Sequence, residues 1–155
     1  MPVNLYYTQK VRGFQQEKVK YSKESVEIRL KRTKHQCPYC GSSAVTVEPI
    51  RRRRIRGEPL GSCRQLVLEL TVHRLYCHRC HHREMEHIPF LSPPKARLTK
   101  ALERTILELR QQMSIQALAN FYNIGWHTIK ELEKKHLQKK FARIQTAHVK
   151  AIGID

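Results

Sequence analysis

The stretch QLVLELTVHRLYCHRC, residues 65 to 80, carries two signals in one run. Leu66, Leu68, Leu70 and Val72 recur at every second position, which places them on one face of a β-strand. The strand leads directly into Cys77 and Cys80, and two intervening residues let both sulfurs reach one ion. A thiolate pair of this kind is half of a site. The other half is CPYCG, residues 37 to 41, where Cys37 and Cys40 repeat the spacing and Gly41 permits the turn that follows. Two such knuckles on adjacent hairpins predict a tetrahedral site for Zn2+ with Cys37, Cys40, Cys77 and Cys80 as ligands. Four thiolates leave no coordination position for water, so the expected metal is structural rather than catalytic.

The 36 residues between the pairs exceed the ~15 to 20 of a common ribbon, so the arginine-rich segment between them reads as an elaboration. His81 stands where a glycine would be easiest, and His78, His81 and His82 are near enough in sequence to replace one cysteine as ligand. Cys63, the fifth cysteine, reads as an ordinary buried or half-buried thiol. No charged segment followed by an apolar stretch opens the sequence, so reduced thiolates holding metal are expected rather than disulfides. The expected location is cytoplasmic.

Working outward, SVEIRLKR alternates Val26, Ile28 and Leu30 with charged residues and predicts a half-buried strand before the first knuckle. AVTVEP predicts a second strand. IRRRRIR continues the sheet, with Glu58, Pro59, Leu60 and Gly61 as its turn. Residues 1 to 22 show no sustained period and read as extended or irregular. Residues 23 to 90 thus form a small antiparallel zinc-ribbon module. FLSPPKAR marks a linker over 91 to 97, because adjacent prolines continue neither a ladder nor a helix. The fold class is α+β, with a helical module over 98 to 145 after the ribbon.

Leu98, Leu102, Ile106, Leu109 and Met113 recur at steps of three or four, which predicts a first helix capped near Thr99. Ser114 is placed to cap a second, short one. In SIQALANFYNIGWHTIKELEKK, Ala119 is small enough for a close helix crossing, Asn123 can take a left-handed turn, and Ile124, Ile129 and Leu132 supply a core. Those intervals predict a helix-turn-helix with its third helix starting near Gly125. Trp126, His127, Thr128, Lys130, Glu131, Lys134 and Lys135 are its candidate DNA contacts, the first of them at base edges. Lys134, Lys135, Lys139 and Lys140 are placed for phosphate. Trp126 is equally compatible with packing against the first helix. Arg51, Arg52, Arg53 and Arg54 suit a second stretch of DNA backbone, a minor groove or a solvated hairpin.

The net charge of +17 is spread over the chain, 20 basic against 8 acidic residues through Arg97 and 10 against 5 after it. Such an excess points to a polyanion, with double-stranded DNA first. No apolar run reaches the roughly 18 residues of a membrane span, and no basic amphipathic helix with an aromatic face indicates a membrane surface. No small-molecule substrate is expected.

CPYCG, the arginine-rich segment, the long strand into a second Cys-x-x-Cys, a proline-bearing linker, the helix-turn-helix and a terminal AHVKAIGID, in this order, resemble the N-terminal region of bacterial insertion-sequence transposases of the ISL-three family. The resemblance covers residues 24 to 155. It implies that the zinc ribbon and helix-turn-helix recognise the terminal inverted repeats of the element and that a ribonuclease H-like domain follows. It also implies that residues 146 to 155 are the truncated first strand of that domain, with Asp155 matching the first of three metal-holding carboxylates. The other two are missing, so no catalytic residue is assigned and the expected protein is a non-enzymatic DNA binder. Full-length transposase or a homodimer is its expected protein partner. A stand-alone transcriptional regulator and a zinc-dependent RNA-binding module are the alternatives.

Overall fold

The alternation of residues 65 to 77 becomes the central strand of a mixed five-stranded sheet in a computed structural model, which describes Leu5 and residues 9–142. The strands are β1 (Phe14–Tyr21), β2 (Ser25–Arg32), β3 (Val45–Gly57), β4 (Gln65–Cys77) and β5 (Arg83–Met85). They lie in the order β1-β2-β4-β3, with β5 also on β4. Val26, Ile28, Leu30, Ile55, Leu66, Leu68, Leu70 and Val72 share one buried face. Leu5, Val11, Ile88, Phe90 and Leu91 complete that core. The opposite face is charged: Arg29 and Arg52 pair with Glu69, and Arg54 pairs with Glu27.

The sheet departs from the expected antiparallel module in three ways. β2 runs parallel to β4, from Ser25 opposite Gln65 to Leu30 opposite Leu70. The reason is the pair of knuckles: each follows a strand, both must reach one site, and so both strands run toward the same end of the sheet. Second, AVTVEP and IRRRRIR belong to one strand of 13 residues. Pro49 pairs with His73 and Arg51 with Val72, leaving Ile50 as the extra residue of a bulge. A proline has no N–H for the ladder and is tolerated at such an irregularity. Third, of the two readings for residues 1 to 22 the extended one holds over residues 14–21, which form β1, antiparallel to β2 and part of the sheet. A bulge between Gln16 and Lys18 breaks its alternation, which removes the period from the sequence.

Gly57 ends β3 where a side chain would not fit, since a Cβ there would lie 2.8 Å from both Gln9 Oε1 and Leu66 Cδ2. The buried Gln9 side chain instead donates to Glu58 O and accepts from Glu58 N, each at 2.9 Å. The proline-bearing segment does not float between modules. A parallel bridge joins Leu98 to Arg56 on the free edge of β3, with Arg56 N donating to Arg97 O and Thr99 N to Arg56 O, both at 2.9 Å.

Among the described residues three helices follow, α1 (Lys100–Leu109), α2 (Ile115–Tyr122) and α3 (Trp126–Lys140). Thr99 caps α1 by accepting from Leu102 N, and Ser114 caps α2 by accepting from Ala117 N, as the sequence predicts. Leu98, Leu102, Ile106, Leu118, Ala119, Tyr122 and Ile129 form the buried core, with Leu109, Met113, Ile124 and Leu132 packed against it. The stretch from 147 to 155, with Asp155, lies outside the described residues.

Candidate metal centre and nucleic-acid interface

The four predicted thiols come together at the end of the sheet where β2 and β4 arrive. Cys37 Sγ lies 3.5 Å from Cys80 Sγ, and Cys40 Sγ lies 3.5 Å from Cys77 Sγ. All four sulfurs lie within 4.8 Å of one another. Sulfurs around a tetrahedral zinc at ~2.3 Å stand about 3.8 Å apart, so the cluster is close to the size the ion needs. The same distances exclude disulfides, whose sulfurs sit at ~2.05 Å.

The knuckles are near copies of each other. Cys37 N donates to Ser42 O and Gly41 N to Cys37 O; Cys77 N donates to His82 O and His81 N to Cys77 O. Gly41 and His81 both take left-handed backbone, at φ 69 and 58, so His81 carries the strain that glycine avoids in the first knuckle. The backbone N–H groups of Cys80 and Arg79 hold the Cys77 thiol down to about 6, against the opposing effect of burial. Those of Cys40 and Tyr39 lower Cys37 in the same way. Cys80 accepts from the His82 amide, which lowers it, yet burial and the neighbouring thiols push it up to about 12. One ion would release these thiols from their mutual competition, because thiolate is the liganding form.

The nearby histidines are engaged elsewhere. His78 Nε2 lies 2.8 Å from Thr46 Oγ1, His81 Nδ1 lies 3.2 Å from Tyr76 Oη, and His82 Nδ1 lies 3.1 Å from Cys80 O. Cys63 is half-buried against the sheet core, away from the cluster.

In the helical module, Asn123 has φ 48 and ψ 54, the left-handed turn that the sequence assigns to it, and Gly125 precedes α3 as its N-cap. Ile129 is fully buried, and Trp126, His127, Thr128, Lys130, Glu131, Lys134 and Lys135 are all exposed around the rest of α3. Trp126 is 36% exposed. Lys130 Nζ stands 4.9 Å from the centre of its ring, and the His127 ring meets it edge-on at 5.1 Å. His127, Thr128, Glu131 and Lys135 line a groove between α3, α1 and the proline-bearing segment. Glu103 lies in that groove, its carboxyl raised by burial and opposed by the charges of Lys135 and Lys139.

The arginine run divides likewise. Arg51, Arg52 and Arg54 are exposed, the last two on the charged face of the sheet. Arg53 points the other way and donates to Pro94 O and Ala96 O, both at 2.6 Å. Arg56, which sequence reasoning passed over, donates to Tyr122 O at 2.7 Å and Asn123 O at 3.2 Å. A cation there satisfies the last carbonyls of α2 and complements its dipole. Arg110 reaches the Glu133 carboxylate at 3.0 Å, bracing α1 against α3. A strand so rich in arginine carries no local mark distinguishing a rivet from a surface charge. Among the described residues, no helix is long and apolar enough to cross a membrane.

Comparison with known proteins bears on this geometry. Residues 86–136 match the helix-turn-helix domain of transposase family ISL3. Over 119 residues the chain is 29% identical to the transposase for insertion sequence element IS1001 of Bordetella parapertussis, covering 77% of this chain and 29% of that protein. The chain thus spans less than a third of that relative's length. No solved structure matches it.

Proposed function

From the likeness of this chain to the N-terminal region of an ISL3-family transposase, we propose that it is the DNA-reading part of such a protein and recognises the element's terminal inverted repeats. The observation that carries the reading is the outward face of α3. It begins just after the left-handed turn at Asn123 and the Gly125 cap, with Trp126, His127 and Thr128 exposed in its first turn and Lys130, Glu131 and Lys134 exposed beyond it. A helix presented in this way places its N-terminal residues at base edges in the major groove, and the lysines further along at phosphates.

In this reading Trp126, His127, Thr128, Lys130 and Glu131 meet base edges, and Lys134, Lys135, Lys139 and Lys140 meet backbone. Arg51, Arg52 and Arg54 contact an adjoining stretch of backbone from the sheet, while Arg53 holds the connecting segment. Arg52 and Arg54 already face Glu69 and Glu27, so phosphate must compete with those carboxylates. The four cysteines hold structural Zn2+, which fixes the end of the sheet and performs no chemistry. No catalytic step is assigned to these residues. Strand transfer belongs, in this proposal, to the part of such a transposase that the chain does not match.

The test is selection from random duplexes with zinc-loaded protein at two salt concentrations. One enriched motif, matching element ends and lost in a Lys130→Ala, Lys134→Ala variant, is the expected result. Lys130→Ala should relax specificity at the base it meets, and Lys134→Ala should lower the salt slope by about 1. Lys135→Ala should change it less, because its charge already faces Glu103. Sequence-blind binding, unaltered by the double substitution, would overturn the proposal.

A further inference from the structure

The edge of β4 opposite β3 is shared by two partners that do not meet. β2 covers it as far as Leu70, and β5 takes it up from Arg74. His73 lies at the seam, and Glu86 closes it. Glu86 N donates to His73 O at 2.9 Å, and Glu86 Oε1 accepts from His73 N at 2.8 Å. The same oxygen lies 2.7 Å from His73 Nδ1. One carboxylate oxygen is therefore sufficient to satisfy the strand.

The second oxygen is unaccounted for. The Glu86 side chain is 1% exposed, yet its Oε2 has no hydrogen-bond partner among the described residues, and neither has His35 Nδ1. These two atoms face each other at 3.7 Å. The His35 and His73 rings meet edge-on with centres 4.7 Å apart. Arg32 Nε also stands 3.7 Å from Oε2. That guanidinium donates instead to Lys34 O and His87 O and lies over the Phe14 ring, so it balances charge without donating to the carboxylate.

One donor atom from each of His35, His73 and Glu86 lies within 4.8 Å of the other two. We propose that these three residues bind a second divalent transition-metal ion, separate from the four-thiolate centre, with a coordination position left for water or an external donor. Two imidazoles and a carboxylate are a donor set that zinc, cobalt and nickel accept, whereas calcium and magnesium prefer all-oxygen sites. An ion here would use the two buried atoms that the fold leaves unpaired. It would also tie the segment carrying His35, two residues before Cys37, to β4, four residues before Cys77. The two centres are thus linked by short lengths of chain.

The experiment strips the full chain of metal and titrates it with Co2+ and, in parallel, Zn2+, counting bound ions by native mass spectrometry. Thiolate-bound cobalt shows intense sulfur-to-metal absorption, and a site of nitrogen and oxygen donors shows none. Two ions in the unaltered chain are expected, with His35→Ala and Glu86→Gln each reduced to one while the sulfur absorption stays intact. Glu86→Gln keeps an acceptor for His73 N. His35→Ala changes a partly exposed side chain, so it carries the test even if the glutamine variant misfolds. A single ion at saturating metal would overturn the proposal, as would a second ion retained by His35→Ala. Loss of the sulfur absorption in the unaltered chain would instead count against the thiolate centre, which keeps the two assignments separable.

Discussion

The helical module closes its joints locally, while the sheet closes its own across long stretches of chain. Thr99 accepts from Leu102, Ser114 from Ala117, and Ile124 N donates to Ala119 O across the turn. In the sheet, Gln9 pairs with Glu58, 49 residues away, and Cys37 meets Cys80, 43 residues away. Local joints order few residues for each bond formed. Distant ones must first overcome the entropy of closing large loops. The thiolate cluster offsets that cost if it holds an ion, because binding free energy then becomes folding free energy. The difference teaches where each half of the chain is vulnerable.

The sharpest way to break the comparison is to remove metal. Chelation, or Cys77→Ser, should lower thermal stability more than any single core or surface substitution, with the loss concentrated in the sheet. Amide hydrogen exchange would check this, with β2, β3 and β4 losing protection before α1 to α3. Equal loss in both modules would show that the helices depend on the ribbon for their own fold. Zinc affinity should also fall as the medium is acidified, since protons compete for thiolates.

A core truncation in the local module should come next. Ile129→Ala removes a fully buried side chain and is expected to cost about 2–5 kcal/mol by denaturant unfolding. DNA affinity should fall with it, because Ile129 sets the rotation of α3. A smaller effect is expected at the rivet between modules. Arg56→Ala leaves Tyr122 O and Asn123 O without their donor and should cost about 1.5–3 kcal/mol. If the rivet only stabilises, a compensating change elsewhere restores DNA binding fully; if it also orients α3, binding stays weaker after stability is restored.

The smallest effects belong to two of the left-handed residues, Asn123 and His81. Asn123→Gly and His81→Gly each relieve the same backbone conformation and should add about 0.5 kcal/mol. Thermal melts would read the first with or without metal. The second should appear only in the metal-loaded protein, since the knuckle holding His81 in that conformation is the one the metal organises.

Legibility followed the same division. Thr99, Ser114, Asn123 and Gly125 were readable because a cap or a left-handed turn is decided within four residues, and Leu102, Ile106, Ala119 and Ile129 because helical period survives in sequence. Leu118 and Tyr122, buried in the same cluster, follow that period too and were recoverable from it. β1 was not readable, since its bulge destroys the alternation on which recognition depends. Nor was the continuity of β3 through Pro49, because a proline reads as a strand end until a bulge is seen to absorb it.

The sequence by itself determined which thiols gather and where the helices start, since spacing and caps are properties of the local chain. Only the tertiary structure decided that β2 and β4 run parallel, that Arg53 and Arg56 bind backbone carbonyls while Arg52 and Arg54 face solvent, and that Glu86 closes a seam between two strands. Those outcomes depend on which distant segments become neighbours. Residues of one type then take different roles because different partners reach them.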